Sequence, residues 1–600
     1  MFDEYVSGAL NRAKIEPIKL SAPLLAPMLQ HIQSKIPGSI LIAGTAGDGK
    51  TYHCRALWTH LGGDQEAWTA KGNVKELRLA DGRLAVFIKD LSEFSGQESD
   101  HPLERLEKSV LGGDDSEVII LAANHGQILD RLRDLGKRQG RAHPLRKPLQ
   151  EHFLQAGPAP NRVAVFDLSR TTSRRTLDEI AKAVAGHSEW EKCKSCTLIA
   201  GGKVCPINEN RRRLLGASEG GQLARRLGDL VEIARFNGLH LPVRDLLALC
   251  SNMILGYSDA KRAKENLMTC ADVAKIQEGG HISKASIYVN AFGANLPKRR
   301  ASGRPVFKAM MSFGVGEETS NAADGLLVYG SHDSKLQADF ERLIGADPVY
   351  GSTSEFRAVQ DAYLEGDEGA RIGDGSSEFL EMLAAQRRRL YFTLPDGEAG
   401  YSRWSMTAFR FAGDYLGIIE SFKAKRSVSE AVRGRIVKGL NRVMTGLLLE
   451  NVDRIFIASS GGFTQSRVSA LCDHEVSSRR QGGIGMAIKL NEDAGRPFLD
   501  VSLAPGLGNS ISFDLTPIRL EFLSRVAEGA LPASFSSECH EDLLAFKAKL
   551  LRKAELVRKA GLAADEDEID AEASVLTLNF IDIEPGGRGF TRPVAVKAPT

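Results

Sequence analysis

The chain has 600 residues, of which 42% are apolar and 26% are charged, and these values are typical of globular proteins with several buried cores. They exclude a collagen, a coiled-coil rod and a wholly disordered chain, and no apolar run approaches the roughly 18 residues that a membrane span needs. Lysine and arginine number 78 against 76 acidic residues, so only local basic stretches, and not the total charge, could indicate nucleic-acid binding.

The start of the chain and its cysteine content bear on its location. Residues 1–36 are predicted to form two helices, and the mixed, acidic start lacks the basic residues and apolar stretch of a signal peptide. Eight cysteines in 600 residues are too few for a disulfide framework. The sequence therefore predicts a cytoplasmic protein with no membrane partner.

Alternating strands and helices follow over residues 37–175. The segment 38–51 is predicted to contain a short apolar strand, a glycine-rich loop and the start of a helix, and three further apolar strands are predicted at 84–90, 117–124 and 162–169. Strands that alternate with helices favour a parallel sheet covered on both faces. The predicted fold class is therefore α/β.

The glycine-rich loop fits the P-loop pattern G-x-x-x-x-G-K-[ST] at every position. Its glycines allow successive backbone N–H groups to surround phosphates, while the lysine faces the β- and γ-phosphates and the threonine hydroxyl ligates Mg²⁺. The helix that starts at the lysine also points its positive end at the anion. We therefore predict an ATP–Mg²⁺ site formed by Gly44, Thr45, Ala46, Gly47, Asp48, Gly49, Lys50 and Thr51.

Polar residues end the next two strands of the predicted sheet. Asp90 is the predicted second ligand of Mg²⁺, although an aspartate in this place can also simply cap the strand end. The residue after it is Leu91 and not a water-activating glutamate, so either Glu93 reaches the water through a local bulge or hydrolysis is slow. Asn124 is predicted to orient the attacking water, and the alternative is an asparagine that only forms the turn.

A helical segment is predicted over 211–293, where apolar positions recur at helical spacing. Pro242 opens one of its helices, which places Arg244 in the first helical turn. An arginine there can fold back onto the phosphates from a helical lid, or it can lie on a solvated helix surface.

A P-loop, a strand-end aspartate, a strand-end asparagine and an early helical arginine, in this order, resemble AAA+ ATPases. The resemblance implies a P-loop NTPase core with a helical lid, in which the loop is Walker A, Asp90 is Walker B, Asn124 is sensor 1 and Arg244 is sensor 2. AAA+ proteins usually work as rings or arrays in which a neighbour's arginine completes the site. The resemblance therefore also implies self-association or a partner ATPase. The candidate donors precede the last predicted strand: Arg138, Arg141 and Arg146. Of these, Arg141 and Arg146 are favoured.

A narrower resemblance rests on four short segments. They are KDLSE at 89–93, ILAANHGQIL at 120–129, the cysteine-bearing insert at 187–210 and LNRVMTGLL at 440–448. These segments resemble ATPase subunits of bacterial phage-defence systems, in particular the ATPase of phosphorothioation-dependent DNA restriction. The resemblance implies a protein effector of a defence complex as one partner and DNA as a further one.

The insert at 187–210 holds a C-x-x-C pair followed by a third cysteine after a Gly-Gly turn. Tetrahedral structural zinc sites use four nitrogen or sulfur donors, and a small loop without its own core gains most from such a metal. The alternative is a loop with three free thiols. The predicted Zn²⁺ ligands are Cys193, Cys196, Cys205 and His187. The other five cysteines are interpreted as buried apolar residues: Cys54, Cys250, Cys270, Cys472 and Cys539.

A mixed α+β half is predicted to follow the α/β core and its lid. The polar, basic segment at 294–306 is predicted to be a boundary or loop. Residues 300–400 are predicted to form a mixed α/β region. Residues 401–600 are predicted to form an α+β region in which helices flank several short strands.

Three basic stretches could follow a phosphate backbone, at 131–147, 211–213 and 298–304, although charged runs are more often solvated helix faces. Two function hypotheses follow. The first is an ATP-hydrolysing AAA+-type switch or motor subunit of a DNA-targeting anti-phage or restriction complex. The alternative is a nucleotide-binding scaffold that turns over little ATP and recruits a separate effector.

Overall fold

The chain divides into two units in the computed structural model. The first unit comprises residues 1–235, 239–316 and 321–398, and the second comprises 236–238, 317–320 and 399–600. The structure describes the following ranges: 2–34, 38–95, 97–112, 115–154, 157–171, 174–216, 222–260, 267–279, 282–366, 374–458, 470–492, 494–506, 508, 510–564 and 575–597.

Five strands of the first unit form one sheet. Their bounds are β1 Ser39–Ala43, β2 Val74–Arg78, β3 Leu84–Ile88, β4 Glu117–Ala123 and β5 Val163–Asp167. Their order is β2-β3-β4-β1-β5, in which β2 is antiparallel to β3 and all other neighbours are parallel. The near-continuous apolar runs of β1, β3 and β4 suit strands that are buried on both faces. The predicted parallel α/β sheet is confirmed, and the antiparallel edge strand β2 adds to it.

Helices alternate with these strands. Up to residue 200 they are α1 Phe2–Ala13, α2 Leu25–Gln33, α3 Lys50–His60, α4 Gln65–Thr69, α5 Asp100–Leu111, α6 His125–Arg138, α7 Arg146–Phe153, α8 Arg174–Ala185 and α9 Thr197–Ala200. One face of the sheet packs against α5, α6 and α7, and the other packs against α2, α3 and α4. Val86 and Ile88 lie in the first core and Ala85 and Phe87 lie in the second, because successive strand residues point to opposite faces. The two cores together hold the carboxyl ends of the parallel strands at one edge.

The rest of the first unit is helical. Its helices are α10 Pro206–Leu214, α11 Gln222–Phe236, α12 Val243–Leu255, α13 Cys270–Gly279, α14 Ile287–Asn290, α15 Lys298–Ser302, α16 Pro305–Ser312, α17 Asn321–Tyr329, α18 Gln337–Phe340, α19 Ser354–Glu365 and α20 Asp374–Thr393. The helical prediction for 211–293 is confirmed for the residues of that range that the structure describes. The predictions at 294–306 and 300–400 are wrong, because helices continue through both and the described part of 300–400 contains no strand. Pro305 occupies the first turn of α16, where proline starts a helix instead of marking a linker.

A buried ionic cluster joins distant segments of this helical part. Asp347 accepts hydrogen bonds from Arg213 at 2.7 Å and from Arg389 at 2.8 Å, and Arg213 also pairs with Glu209 at 2.7 Å. None of these side chains is more than 9% exposed. Burial alone would raise the pKa of Asp347, but the two guanidinium groups hold it well below its usual range. The cluster therefore depends on a charged carboxylate.

Asp347→Asn is expected to lower the free energy of unfolding by about 1–3 kcal/mol, because buried Arg389 loses its carboxylate partner and buried Arg213 keeps only Glu209. The carboxyl pKa is lower in the folded than in the unfolded chain, so this stability is present above the unfolded pKa and is lost as the pH falls through the folded one. Urea unfolding followed by circular dichroism at pH 7 and at acid pH measures both effects. Asp361→Asn, at an exposed position, is the control. Equal unfolding midpoints for wild type and Asp347→Asn at pH 7 would contradict the prediction.

The second unit contains helices and short strands. Its helices are α21 Ala412–Lys423, α22 Glu430–Thr445, α23 Pro517–Ala527 and α24 Ser537–Ala564. Its strands are β6 Arg454–Ile457, β7 Ala470–Leu471, β8 His474–Ser477, β9 Gly485–Asn491, β10 Arg496–Ser502, β11 Ser510–Asp514, β12 Val575–Ile583 and β13 Gly589–Lys597. They form antiparallel sheets of order β11-β10-β9, β13-β12-β7 and β6-β8. These elements agree with the α+β prediction for 401–600.

Across the ranges that the structure describes, no helix combines the length and the apolar character needed to cross a bilayer.

Candidate functional site

The glycine-rich loop connects β1 to α3 at the carboxyl edge of the sheet. Gly44, Gly47 and Gly49 have φ angles of 154°, 98° and 88°. A side chain at Gly47 would also meet the Cβ atom of Arg244 at 3.0 Å, so this position requires glycine for two reasons. α3 begins at Lys50, and its first backbone N–H groups face the space in front of the loop. The predicted strand, loop and helix are all present.

Lys50 folds back over this loop. Its Nζ donates to the backbone oxygen of Thr45 at 2.8 Å and to the side-chain oxygen of Asn124 at 2.6 Å. The residue is only 6% exposed. Burial lowers the pKa of Lys50, while the negative charges of Asp90 and Asp48 oppose that shift. The structure thus brings Lys50, Asp90 and Asn124 together at one point.

Asp90 lies just beyond β3, and the turn after it separates it from Glu93. Its Oδ1 accepts hydrogen bonds from the N–H and the hydroxyl of Ser92, at 2.9 and 2.8 Å, so Asp90 caps a 3₁₀ turn over 91–93. Asp90 also lines the cavity that contains Lys50. Glu93 is exposed at the end of the turn and does not line that cavity. The structure therefore does not bring Glu93 to the water position predicted for it.

Asn124 also lines the cavity, and an ionic contact lies directly behind it. His125 Nε2 lies 3.2 Å from one oxygen of Asp167, at the end of β5, and Arg170 Nε lies 3.2 Å from the other. Burial would raise the pKa of Asp167, but hydrogen bonds from His125 and Ser169 lower it well below its usual range. This contact fixes the start of α6 behind Asn124. Its sequence signal is the position of Asp167 near the end of the strand predicted at 162–169.

The start of α12 and the segment before it contact the loop directly. The backbone N–H of Arg244 donates to the carbonyl oxygen of Gly47 at 3.1 Å, and His240 Nε2 lies 2.6 Å from Asp48 Oδ1. The other oxygen of Asp48 accepts hydrogen bonds from within the loop, and Asp48 is 3% exposed. The positive charge of Arg244 adds to the effect of burial in lowering the pKa of Lys50. Arg244 thus lies at the loop, whereas no sequence pattern marks His240.

A cavity of about 1000 Å³ opens in front of the loop. Its polar floor consists of the loop together with Asp90, Asn124 and Arg244, and its other walls combine apolar side chains with polar and charged ones such as Arg55, Arg175 and Glu179. Two hydrogen bonds attach the segment 10–23 as one of these walls: Ser21 Oγ to Glu179 at 2.6 Å, and His187 Nε2 to the carbonyl oxygen of Glu16 at 2.8 Å. The size and the division into polar and apolar parts are typical of a small-molecule site. The apolar lining includes Ile15, Ile18, Leu20, Ile180, Val184, Trp190 and Leu247.

The three arginines considered as donors to a neighbouring subunit differ in their surroundings. Arg138 Nε bonds to Asp100 at 2.8 Å, and Arg141 bonds to Glu107 at 2.5 Å. Arg146 begins α7, and its buried Nε has no hydrogen-bond acceptor among the described residues. None of the three lines the cavity. Among the described residues, Arg146 is therefore the one candidate of the three that forms no ion pair with an acidic side chain.

His187 belongs to the cavity wall. Its Nε2 contacts the carbonyl oxygen of Glu16, and its Nδ1 accepts a hydrogen bond from the N–H of Glu189 at 3.2 Å. Both ring nitrogens are therefore engaged away from the cysteines. In the ranges that the structure describes, no group of three or more histidine, cysteine, aspartate or glutamate side chains is arranged to hold a metal ion. The structure thus gives no support to His187 as a zinc ligand.

The remaining cysteines divide into two groups. Cys54, Cys250, Cys472 and Cys539 are buried, as predicted, whereas Cys270 is exposed. Burial raises the pKa of Cys54 to about 12, which makes this thiol inert at neutral pH. The interpretation of Cys270 as a buried apolar residue is therefore wrong, because it begins a helix at the surface.

Two of the basic stretches are largely neutralised by their neighbours. In the run 211–213, the last arginine is buried against Asp347 and the middle one pairs with Glu209 at 2.8 Å. In the stretch 131–147, two arginines bond to acidic side chains of α5. These stretches therefore present less net positive charge than their sequences indicate, which favours their interpretation as structural helix faces.

Comparison of the chain with protein-family models, curated proteins and solved structures found no match. The case for a function therefore rests on the residues of the cavity and on the motifs they form.

Proposed function

We propose that the chain binds ATP with Mg²⁺ in the cavity in front of residues 44–51 and hydrolyses it, as an AAA+-type ATPase core. The observation that carries this proposal is the convergence of a buried lysine, a strand-end aspartate, a strand-end asparagine and a helical arginine on one glycine-rich loop. Each of these side chains has the chemistry that a phosphate chain and its Mg²⁺ require. They are Lys50, Asp90, Asn124 and Arg244.

Each polar residue of the floor has a distinct role in this proposal. Lys50 would place its charge on the β- and γ-phosphates, and the first turn of α3 would direct its N–H groups at the same anion. Bound Mg²⁺ neutralises charge between the phosphate oxygens, and Thr51 and Asp90 would hold it. Asn124 would orient the attacking water, and Arg244 would approach the phosphates from α12.

The apolar walls suit the nucleoside. A purine is flat and largely apolar on its faces, and sites for such groups are lined by apolar and aromatic side chains. Ile18, on the segment 10–23, and Ile180 and Val184, on α8, provide such a lining in the same cavity as the loop. These side chains support the proposal of a purine site beside the phosphate site.

The position of Glu93 favours the alternative proposal, a nucleotide-binding scaffold that turns over little ATP and recruits an effector. Hydrolysis is fastest when a carboxylate or a similar group activates the water. Glu93 is exposed and does not line the cavity, while Asp90 already caps a turn and would hold Mg²⁺. Slow basal turnover is consistent with this arrangement.

The wider assignment rests on the resemblances described above. We propose that the chain is the ATPase subunit of a DNA-targeting anti-phage or restriction complex, with a protein effector and DNA as partners. In an AAA+-type site a neighbour supplies an arginine, so the subunit would associate with itself or with a partner ATPase.

Two measurements on the full chain separate the two proposals. Steady-state phosphate release with and without DNA measures turnover, and titration with a fluorescent ATP analogue measures binding. The ATPase proposal expects binding together with turnover that rises on adding DNA or on self-assembly. The scaffold proposal expects binding with turnover near the background rate. Absence of ATP binding would contradict both.

Asp90→Asn is expected to preserve ATP binding and to lower turnover by about 10²-fold. The amide oxygen can still accept the hydrogen bonds of Ser92, but the charge that Mg²⁺ requires is gone. The measurement is the Mg²⁺ dependence of phosphate release at saturating ATP. Asp81→Asn, at an exposed aspartate between β2 and β3, is the matched control and should behave as wild type. An unchanged Mg²⁺ dependence in Asp90→Asn would remove Asp90 from the metal site.

A further inference from the structure

The sheet β11-β10-β9 of the second unit has one buried face and one open face. Leu499 of the central strand β10 is buried together with its pairing partner Phe513 of β11. The ring of Phe513 lies 5.0 Å from that of Phe546 of α24, measured between centroids. Successive strand residues point to opposite faces, so Phe498 points away from this core, and its partner on β9 is Lys489. Phe498 is partly exposed there, and the side that carries Phe498 and Lys489 is called the open face.

A basic pocket of about 410 Å³ lies beside β11, at one edge of this sheet. Two serines of β11 and three cations of α24 contribute to its lining: Ser510, Ser512, Lys549, Arg552 and Lys553. In the described part of the chain, none of these cations pairs with an acidic side chain, and Lys553 donates to the neutral backbone oxygen of Gly508 at 3.1 Å. Further along α24, by contrast, Lys559 pairs with Glu555 at 2.9 Å. The pocket therefore holds three cations without a countercharge among the described residues.

A second basic pocket, of about 360 Å³, lies at the other edge of the sheet, beside β9. Four arginines contribute to its lining: Arg426, Arg433, Arg479 and Arg480. Arg433 and Arg479 share the carboxylate of Glu430, at 3.0 and 2.9 Å. Arg480 shares the carboxylate of Asp500 with Lys489 of the open face. Arg426 pairs with no acidic side chain among the residues that the structure describes, so five cations at this edge face two carboxylates.

The excess of positive charge at both edges indicates a ligand with several negative charges. It does not serve the fold, because like charges four residues apart on a helix, such as Lys549 and Lys553, repel each other. β9 and β11 are two strand spacings apart, about 10 Å, so a single small anion cannot reach both pockets. Arginine, lysine and serine side chains all donate to phosphate oxygens. A chain of phosphates that crosses the sheet therefore matches the two pockets.

We propose that the second unit binds single-stranded DNA across the open face, with phosphates in the two basic pockets and a base stacked on Phe498. Single-strand sites combine a basic path for the backbone with aromatic rings on which bases stack, and a duplex keeps its bases paired and out of reach of such a ring. An acidic peptide would match the cations but leave the Phe498 ring unused. This inference rests on the proposed function for DNA as the partner, and it deepens that proposal by naming the strand form and the surface.

Fluorescence anisotropy of a labelled oligothymidine, titrated with the full chain without nucleotide, tests the proposal. The oligothymidine is expected to bind about tenfold more tightly than a duplex of the same length. Arg552→Ala and Arg426→Ala, one in each pocket, are expected to weaken binding several-fold. Each should also make the salt dependence of log K shallower by about 0.7, the value for one phosphate contact of a single strand. Lys559→Ala, which removes a paired lysine from the same helix, is the matched control and should bind as wild type.

Phe498→Leu separates stacking from charge. It keeps an apolar side chain, so it is expected to weaken binding about tenfold while the salt dependence stays that of wild type, and circular dichroism shows whether each variant is folded. Equal affinity for the duplex, or wild-type binding by folded Phe498→Leu, would overturn the proposal, and so would competition by polyglutamate as strong as that by unlabelled oligothymidine. A chain that binds ATP but no DNA would overturn this inference alone. A chain that binds the oligothymidine as expected but no ATP would contradict the proposed ATPase function alone.

Discussion

Replacing Lys50 with alanine is expected to lower ATP turnover by about 10²–10³-fold and to weaken ATP binding. The Lys50 ammonium is buried at the loop and touches both the backbone oxygen of Thr45 and the side chain of Asn124. Alanine removes the positive charge that would face the β- and γ-phosphates and leaves Asn124 without this donor. Phosphate release at saturating ATP and titration with a fluorescent ATP analogue measure the two effects.

Two variants control for effects of charge and folding. Lys147→Ala removes an exposed lysine on α7 that lies 3.9 Å from Glu151, and it should turn over ATP within about twofold of wild type, because exposed ion pairs contribute little. Lys50→Arg keeps the charge but changes its shape, so it should recover part of the binding and little of the turnover. If folded Lys50→Ala hydrolyses ATP at the wild-type rate, the assignment of the site is wrong.

Replacing Arg146 with alanine is expected to lower turnover by about 10³-fold while ATP binding changes less than twofold. An arginine supplied by a neighbouring subunit is worth about 10³–10⁵ in rate, because it stabilises charge that develops only in the transition state. Arg138 and Arg141 are held by Asp100 and Glu107, which leaves Arg146 as the best donor. Turnover of the wild type should also rise with protein concentration or on adding a partner ATPase.

Mixing variants gives the sharpest test of this donor. The Arg146→Ala chain keeps its own loop, and the Lys50→Ala chain keeps Arg146, so a mixture of the two should recover part of the activity that each has lost. Arg138→Ala and Arg141→Ala are matched controls that remove only exposed ion pairs. A monomer whose turnover is independent of concentration and of Arg146 would contradict the prediction and favour the scaffold.

The sequence carries enough information to predict the sheet and the loop, because both are local features. The strands of the core are runs of consecutive apolar residues that are buried on both faces, and the eight residues of the P-loop pattern are adjacent in the chain. Asp90 and Asn124 could be placed at the same edge of the sheet because each directly follows one of these strands. Arg244 could be placed near the start of a helix, but its contact with Gly47 is visible only in the structure.

Other parts of the candidate site depend on contacts between residues that are distant in the chain. No pattern links His240 to Asp48, or Gln277 to the insert, because each pair meets only when helices pack. The basic segment at 294–306 resembles a linker in composition, yet its prolines start helices. In the run 211–213, the sequence does not reveal that Arg213 is buried against Asp347. These features depend on tertiary packing, which overrides local composition.

The contacts of Asp48 with His240 and of Gly47 with Arg244 couple the loop to α12. Because α12 also packs against α8, α10, α14 and α16, a shift of the loop backbone around a phosphate would be passed to the helical part of the first unit. Thermodynamic linkage makes such coupling reciprocal: a partner that binds one position of α12 more tightly than another would change the affinity of the loop for phosphate by the same factor by which phosphate changes the affinity for that partner. If the loop binds nucleotide as proposed, such a partner would alter nucleotide affinity without touching the nucleotide.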